Sequence, residues 1–279
     1  MTHTLRGALS ELTYQAIRLT NGRAAGVRIL TYHRVTDAHP GDRLCVPVAR
    51  FSEQMRWLHE AGYQTISFAQ TVAWVTGGTR DVQPGTRSPK PGTTPTAKSV
   101  VLTFDDGYED NFLHAYPAMA RYGLTGIFFV PSAFIEGGPD GHVSAVDRPM
   151  SWVQLQELVQ TGHEIGAHSV SHAKLTQLPP ERVTWEISGC KQALEQHLQH
   201  AVDFFCYPSG DYDDHVRETV VACGYRGACT VEPGANHPGD DPFVLTRTEI
   251  SAYDSLRDFE KKLAGAYDWM HGVWQWSQR

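Results

Sequence analysis

Short apolar runs alternate with helix-length amphipathic segments along most of this chain. The runs are "VRILTYHRV" (27–35), "YQTIS" (63–67), "SVVLTF" (99–104), "TGIFFVP" (125–131), "HEIGAH" (163–168), "VDFFCYP" (202–208), "YRGACT" (225–230) and "FVLTRTEI" (243–250). Between them, helical spacing or helix punctuation marks 51–61, where Phe51, Met55 and Leu58 share a face and Gly62 follows as a stop. Further helices are expected over "FAQTVAWV" (68–75), 110–122, "WVQLQELVQTG" (152–162), 180–199 behind Pro180, 213–223 and 254–268. Alternation of this kind implies βαβ units and a parallel sheet. Seven or so units favour a barrel, distorted and incomplete, of the (β/α)7 kind.

The 279 residues suit a single barrel domain, and 41% hydrophobic with 20% charged residues is ordinary for a globular core. The formal charge of −7 with no basic block argues against nucleic acid as a partner. The segment "TGGTRDVQPGTRSPKPGTTPTAKS" (76–99) has no apolar periodicity and reads as a flexible insertion at about 76–98 within one domain spanning 27–279. Residues 1–26 form a separate N-terminal extension. Leu5, Leu9, Leu12 and Ala16 repeat there at helical spacing, which predicts an amphipathic helix packed on the body, on a partner or on a membrane surface. With no signal peptide and no long apolar stretch, the expectation is a cytoplasmic or membrane-peripheral protein. Five cysteines without a C-x-x-C pair predict buried, reduced thiols. Nothing in the pattern fixes an oligomeric state.

In α/β barrels the chemistry sits where strands end and loops begin. Here those ends carry Tyr32-His33, Asp105-Asp106, His168, Tyr207-Pro208 and Arg247. Two adjacent carboxylates repel unless a cation takes one of them and leaves the other free as a base. Gly107 permits the sharp turn that would expose both. The competing reading makes Asp106 or Asp110 the N-cap of the next helix. His168 and His172 stand four apart, so one turn of helix would put both imidazoles on one side. Two histidines and a carboxylate suit catalytic zinc, and equally the facial triad of non-haem iron. Arg247 interrupts an apolar strand and needs a carboxylate, either Asp105 or Glu249.

Taken together, "TFDDG" (103–107), "HSVSH" (168–172) and "FCYPSG" (205–210) resemble the three motifs of the polysaccharide deacetylases, carbohydrate esterase family 4 (the NodB homology domain). The resemblance runs over about residues 27–250, and "ILTYHRV" and "GDDPFVLTRTEI" resemble the branch that deacetylates poly-N-acetylglucosamine. It implies a metal-dependent hydrolase that removes N-acetyl groups from an amino sugar in a poly- or oligosaccharide. Asp106, His168 and His172 resemble the metal ligands, usually of zinc, with cobalt, nickel or iron as alternatives. Asp105 resembles the general base, and a backbone N–H near Tyr207 and Pro208 the oxyanion donor.

Two departures from the family pattern matter. The third motif usually brings an arginine that orients the base, but Phe204 and Phe205 stand in that region, so Arg247 is expected to take the role from another strand. The late leucine-histidine motif that supplies the general acid is absent, and His271 in "DWMHGVW" does not match it. His33 is the candidate acid or substrate contact, and His237 the weaker one. The alternatives are an amidase on a lipid-linked or non-sugar substrate, an O-deacetylase, and a carbohydrate-binding relative without turnover.

Overall fold

The structure, a computed structural model, describes residues 9–16, 26–78, 94–135 and 146–268. The expected central part of the 76–98 insertion, Leu5, and His271 lie outside the described residues. After a helix over residues 9–16 (α1), the chain runs β1 (Arg28–Tyr32), β2 (Arg34–Val35), β3 (Cys45–Val46), α2 (Val48–Glu60), β4 (Gln64–Thr65), α3 (Phe68–Val75) and β5 (Ser99–Phe104). It continues through α4 (Tyr116–Ala120), β6 (Ile127–Val130), α5 (Trp152–Gln160), β7 (Glu164–Ala167) and α6 (Pro180–Leu198). The last elements are β8 (Phe204–Cys206), α7 (Asp214–Ala222), β9 (Gly227–Cys229), β10 (Thr248–Glu249) and α8 (Leu256–Ala264).

Eight strands make one parallel sheet in the order β10-β1-β5-β6-β7-β8-β9, with β4 also on β5. The two ends of this sheet approach each other through one stretch of chain. Leu245 bridges to Cys229 of β9, and four residues later Glu249 pairs with Thr31 of β1. The sheet therefore curls into a barrel held at one seam by a single bridge to β9 and two residue pairs to β1, the distorted and incomplete (β/α) barrel the strand–helix alternation predicts.

Side chains alternate across each strand, and the alternation divides the core in two. Leu30, Tyr32, Val100, Leu102, Phe104 and Phe128 face the surrounding helices. Ile29, Val101, Ile127, Phe129, Phe204, Cys206, Cys229 and Leu245 fill the interior. Both faces are buried, so the strands read as continuous apolar runs. Phe68, Val72 and Val75 of α3 join the interior set, with Phe68 edge-on to Phe129 and 5.0 Å from Phe204. The α3 N-terminus abuts the start of β7, where the Glu164 carboxylate accepts from the N–H groups of Phe68 (2.6 Å) and Ala69 (3.2 Å). Thus α3 plugs the barrel's N-terminal end instead of joining the outer ring.

Several expected elements are shorter than their apolar runs. The first run breaks at His33 into β1 and β2, and "YQTIS" yields two paired residues. The 110–122 helix opens as a wide π-turn over Asn111–Ala115, and Pro117 follows in the first turn of α4. The described part of the N-terminal helix docks through charge and a tyrosine, with Leu9 and Leu12 both exposed. Glu11 pairs with Arg257 and Lys261 of α8, and the Tyr14 hydroxyl donates to Glu260. Leu12 is 69% exposed. All five cysteines are free, and four are buried. Among the described residues no helix is long and apolar enough to cross a membrane.

Candidate active site

On β5 the inward series is Val101, Thr103 and Asp105, so strand parity alone sends Asp105 into the barrel. Its N–H extends the β1 ladder by donating to the Tyr32 carbonyl at 2.9 Å. Parity would turn Asp106 the other way. It does not, because Asp106 and Gly107 both take left-handed conformations, each at φ 71°. Gly107 is obligatory for a second reason: a Cβ there would lie 2.8 Å from Val130 Cγ1. Both carboxylates therefore stay on the C-terminal rim.

Asp106 Oδ1 lies 3.5 Å from His168 Nε2 and 3.3 Å from His172 Nε2. The donor atoms of these three residues all fall within 4.8 Å of one another. His168 Nδ1 is 2.7 Å from the Cys206 carbonyl oxygen. A carbonyl only accepts, so Nδ1 donates to it and Nε2 is the ring nitrogen turned toward Asp106. Burial works against ionisation of Asp106, but the two imidazoles outweigh it and hold the carboxyl below its usual range. One ionised carboxylate and two imidazoles fit a divalent cation that keeps positions open for water and substrate.

Arg247 lies just before β10, two residues past the inward-facing Leu245, and its guanidinium grips Asp105 with both arms. Nη1 donates to Oδ1 at 2.8 Å and Nη2 to Oδ2 at 2.7 Å. The remaining donors reach the Thr230 carbonyl (2.7 Å), Thr103 Oγ1 (3.1 Å) and Cys206 Sγ (3.1 Å). The two side chains are 1% and 3% exposed. Burial alone would raise the Asp105 pKa, but the adjacent guanidinium reverses the sign and keeps it below the ordinary carboxylate value. Glu249 is not the partner, since it binds Arg43 at the surface.

Of the other expected residues, His33 sits at the break between β1 and β2, near enough to both carboxylates to influence their ionisation. Its Nδ1 is buried and has no partner among the described residues, and its carbonyl accepts from Asn111 Nδ2. Asp110 caps nothing: it pairs with Arg34 at 2.7 Å and accepts from the Val35 N–H. His237 is at the wrong end, beside Gly26 where β1 begins, and pairs with Asp240.

Tyr207 requires a correction. Its ring is fully buried, its hydroxyl donates to the Phe243 carbonyl, and its N–H donates to the Cys229 carbonyl at 3.2 Å. The sheet has already spent that N–H. Pro208 has none, so the first N–H of the turn beyond them belongs to Ser209, an exposed residue held left-handed at φ 55°. Sequence reasoning also missed Thr103 and Cys206, which touch Arg247. The signal was present in strand parity, since 103, 206 and 247 share the inward face with 105.

Residues 92–228 match the model of the polysaccharide deacetylase family. YxkH of Bacillus subtilis (strain 168) is 28% identical over 229 residues, covering 82% of this chain and 73% of that protein. The poly-beta-1,6-N-acetyl-D-glucosamine N-deacetylase of Escherichia coli (strain K12) is 28% identical over 274 residues, 85% of this chain but only 38% of that longer enzyme. The Streptococcus pyogenes deacetylase PplD, solved in complex with acetate, superposes with a TM-score of 0.73 at 24% identity over 86% of this chain and 98% of its own. IcaB from Ammonifex degensii gives 0.69 at 22% identity over 86% and 97%. The chain shares the fold of these structures, and its residues 92–228 are a polysaccharide deacetylase domain.

Proposed function

We propose that this chain is a metal-dependent N-deacetylase that hydrolyses the acetamide of an N-acetylated amino sugar in a poly- or oligosaccharide. The observation that carries this reading is the division of the rim into two halves. One carboxylate, Asp105, is locked by Arg247, and the other, Asp106, joins two imidazoles in a cation-binding set.

Asp106, His168 and His172 would hold a divalent cation, zinc above all, which would supply Lewis-acid polarisation of the amide carbonyl and acidify water. Asp105 accepts the proton of the attacking water, and the Arg247 grip keeps its carboxylate ionised and aimed. The carbonyl oxygen gains negative charge as the carbon becomes tetrahedral, and the Ser209 N–H is the donor this turn leaves available. Proton delivery to the nitrogen breaks the C–N bond and yields acetate and a free amine. His33 is the side chain assigned to that delivery, being the imidazole on the rim that does not belong to the cation set.

Kinship with the Escherichia coli enzyme favours N-acetylglucosamine polymers as the substrate class. The test is acetate release from N-acetylglucosamine oligomers, peptidoglycan fragments and lipid-linked sugars, with and without chelator. Chelator-sensitive release from the oligomers supports the reading. Sugar binding with no acetate from any of them replaces it with a binding protein.

A further inference from the structure

The turn His168-Ser169-Val170-Ser171-His172 contains two left-handed residues, Ser169 at φ 62° and His172 at φ 59°, and neither is glycine. Such conformations persist only where the surroundings impose them. Within the turn, the His172 N–H donates to Ser169 Oγ at 2.9 Å. On one side, the N–H groups of Ser132 and Ala133, just past β6, donate to the carbonyls of Ser169 and Val170 at 3.2 and 2.9 Å.

On the other side a single residue of α6 takes the load. The main-chain carbonyl of Glu186 accepts from the Val170 N–H at 3.1 Å. Its carboxylate accepts from the Ser171 N–H at 2.8 Å and from the Ser171 hydroxyl at 2.6 Å. Glu186 is fully buried, with Arg182 Nη2 at 3.2 Å as its cationic neighbour. A buried carboxylate is expensive unless its oxygens are satisfied, and here most of that satisfaction comes from the turn. Gly189 lets α6 come this close, since a Cβ there would meet Val170 Cγ2 at 3.3 Å.

We infer that Glu186 is a positioning residue for the cation site: by gripping Val170 and Ser171 it fixes the turn that aims His172 Nε2 at Asp106. The inference rests on the reading of Asp106, His168 and His172 as ligands. The imidazole is then set in place when the protein folds, so cation binding does not have to order it.

The test is zinc affinity of the full chain, measured by competition with a chromophoric chelator for the wild type, Glu186→Gln, Ser171→Ala, Arg182→Ala and His172→Ala. Glu186→Gln should weaken zinc about tenfold or more, in the range for residues that orient metal ligands, and Ser171→Ala less because its N–H bond survives. Arg182→Ala should stay near wild type. With excess zinc, turnover of Glu186→Gln should recover, which a general folding defect would not permit. Zinc affinity unchanged in both Glu186→Gln and Ser171→Ala, while His172→Ala abolishes it, overturns the inference and leaves the ligand assignment standing. Should Glu186→Gln not fold, Ser171→Ala alone decides. Equal zinc binding by the wild type and His172→Ala overturns the ligand assignment as well.

Discussion

Replacing Arg247 with methionine keeps most of the side-chain length and removes the charge. Asp105 then remains 3% exposed with both oxygens stripped of their strongest donors. Removing one partner of such a buried pair costs about 3–5 kcal/mol, because the survivor is left uncompensated in a poorly polarisable interior. The Thr230 carbonyl and Thr103 hydroxyl also lose a donor, which pushes the cost toward the upper end. Turnover should fall by about 10²-fold or more, since a reacting carboxylate displaced by an ångström loses that much. Urea unfolding measures the first effect and acetate release the second. A double-mutant cycle with Asp105→Asn isolates the pair: the double variant should be more stable than the two single losses sum to, with a coupling of about 2–3 kcal/mol. Turnover of all three variants should be similarly low, because the pair acts as one unit. If Arg247→Met unfolds within about 0.5 kcal/mol of wild type and keeps turnover within about twofold, the pair neither stabilises the barrel nor orients the base.

Three further outcomes follow from the same geometry. His163 is buried at the start of β7, where its Nδ1 accepts from the Gly126 N–H at 3.1 Å, and burial pulls its pKa from 6.5 to about 4. A depressed pKa contributes stability that is present above the unfolded value and is lost as pH falls through the folded one. Wild type should therefore lose about 2 kcal/mol between about pH 8 and pH 5 that His163→Gln does not lose, as read from urea unfolding; parallel curves would refute the burial argument. Gly107→Ala combines a left-handed backbone with a contact to Val130 at 2.8 Å and should cost about 2–3 kcal/mol in thermal unfolding. His33→Asn should lower turnover about 10²-fold or more and flatten the basic limb of the pH–rate profile; a variant that keeps both limbs removes His33 from the proton-delivery role.

Much of this site was legible in the sequence because barrels deliver strand ends to one rim. Asp105, Asp106, His168 and Arg247 each stood where an apolar run ended or was interrupted, and the structure gathers all four. The seam at Leu245–Glu249 also answers which carboxylate Arg247 meets, since its inward parity matches that of Asp105. What the sequence could not carry was conformation that departs from the local pattern. Asp106 escapes strand parity through a left-handed turn: Gly107 announced a sharp turn, but nothing marked Asp106 itself as left-handed. Tyr207 stood at a strand end where a backbone N–H was expected to be available, but its N–H belongs to the β9 ladder, so the donor moves to Ser209. The helix α3 was expected as a helix without a place in the barrel, and the packing of Phe68 against Phe129 and Phe204 makes it a plug. Glu186, fourteen residues past His172, had no sequence mark because its meaning lies in the turn it grips.

The central claim, that Asp106, His168 and His172 hold a cation required for deacetylation, is tested most directly on one set of samples. Metal content and acetate release from N-acetylglucosamine oligomers are measured on the wild type as purified, after chelation and after zinc is restored, with His168→Ala alongside. One metal per wild-type chain is expected, with release that disappears on chelation and returns with zinc, and neither stoichiometric metal nor acetate from His168→Ala. Undiminished acetate release from the metal-free protein would contradict the claim.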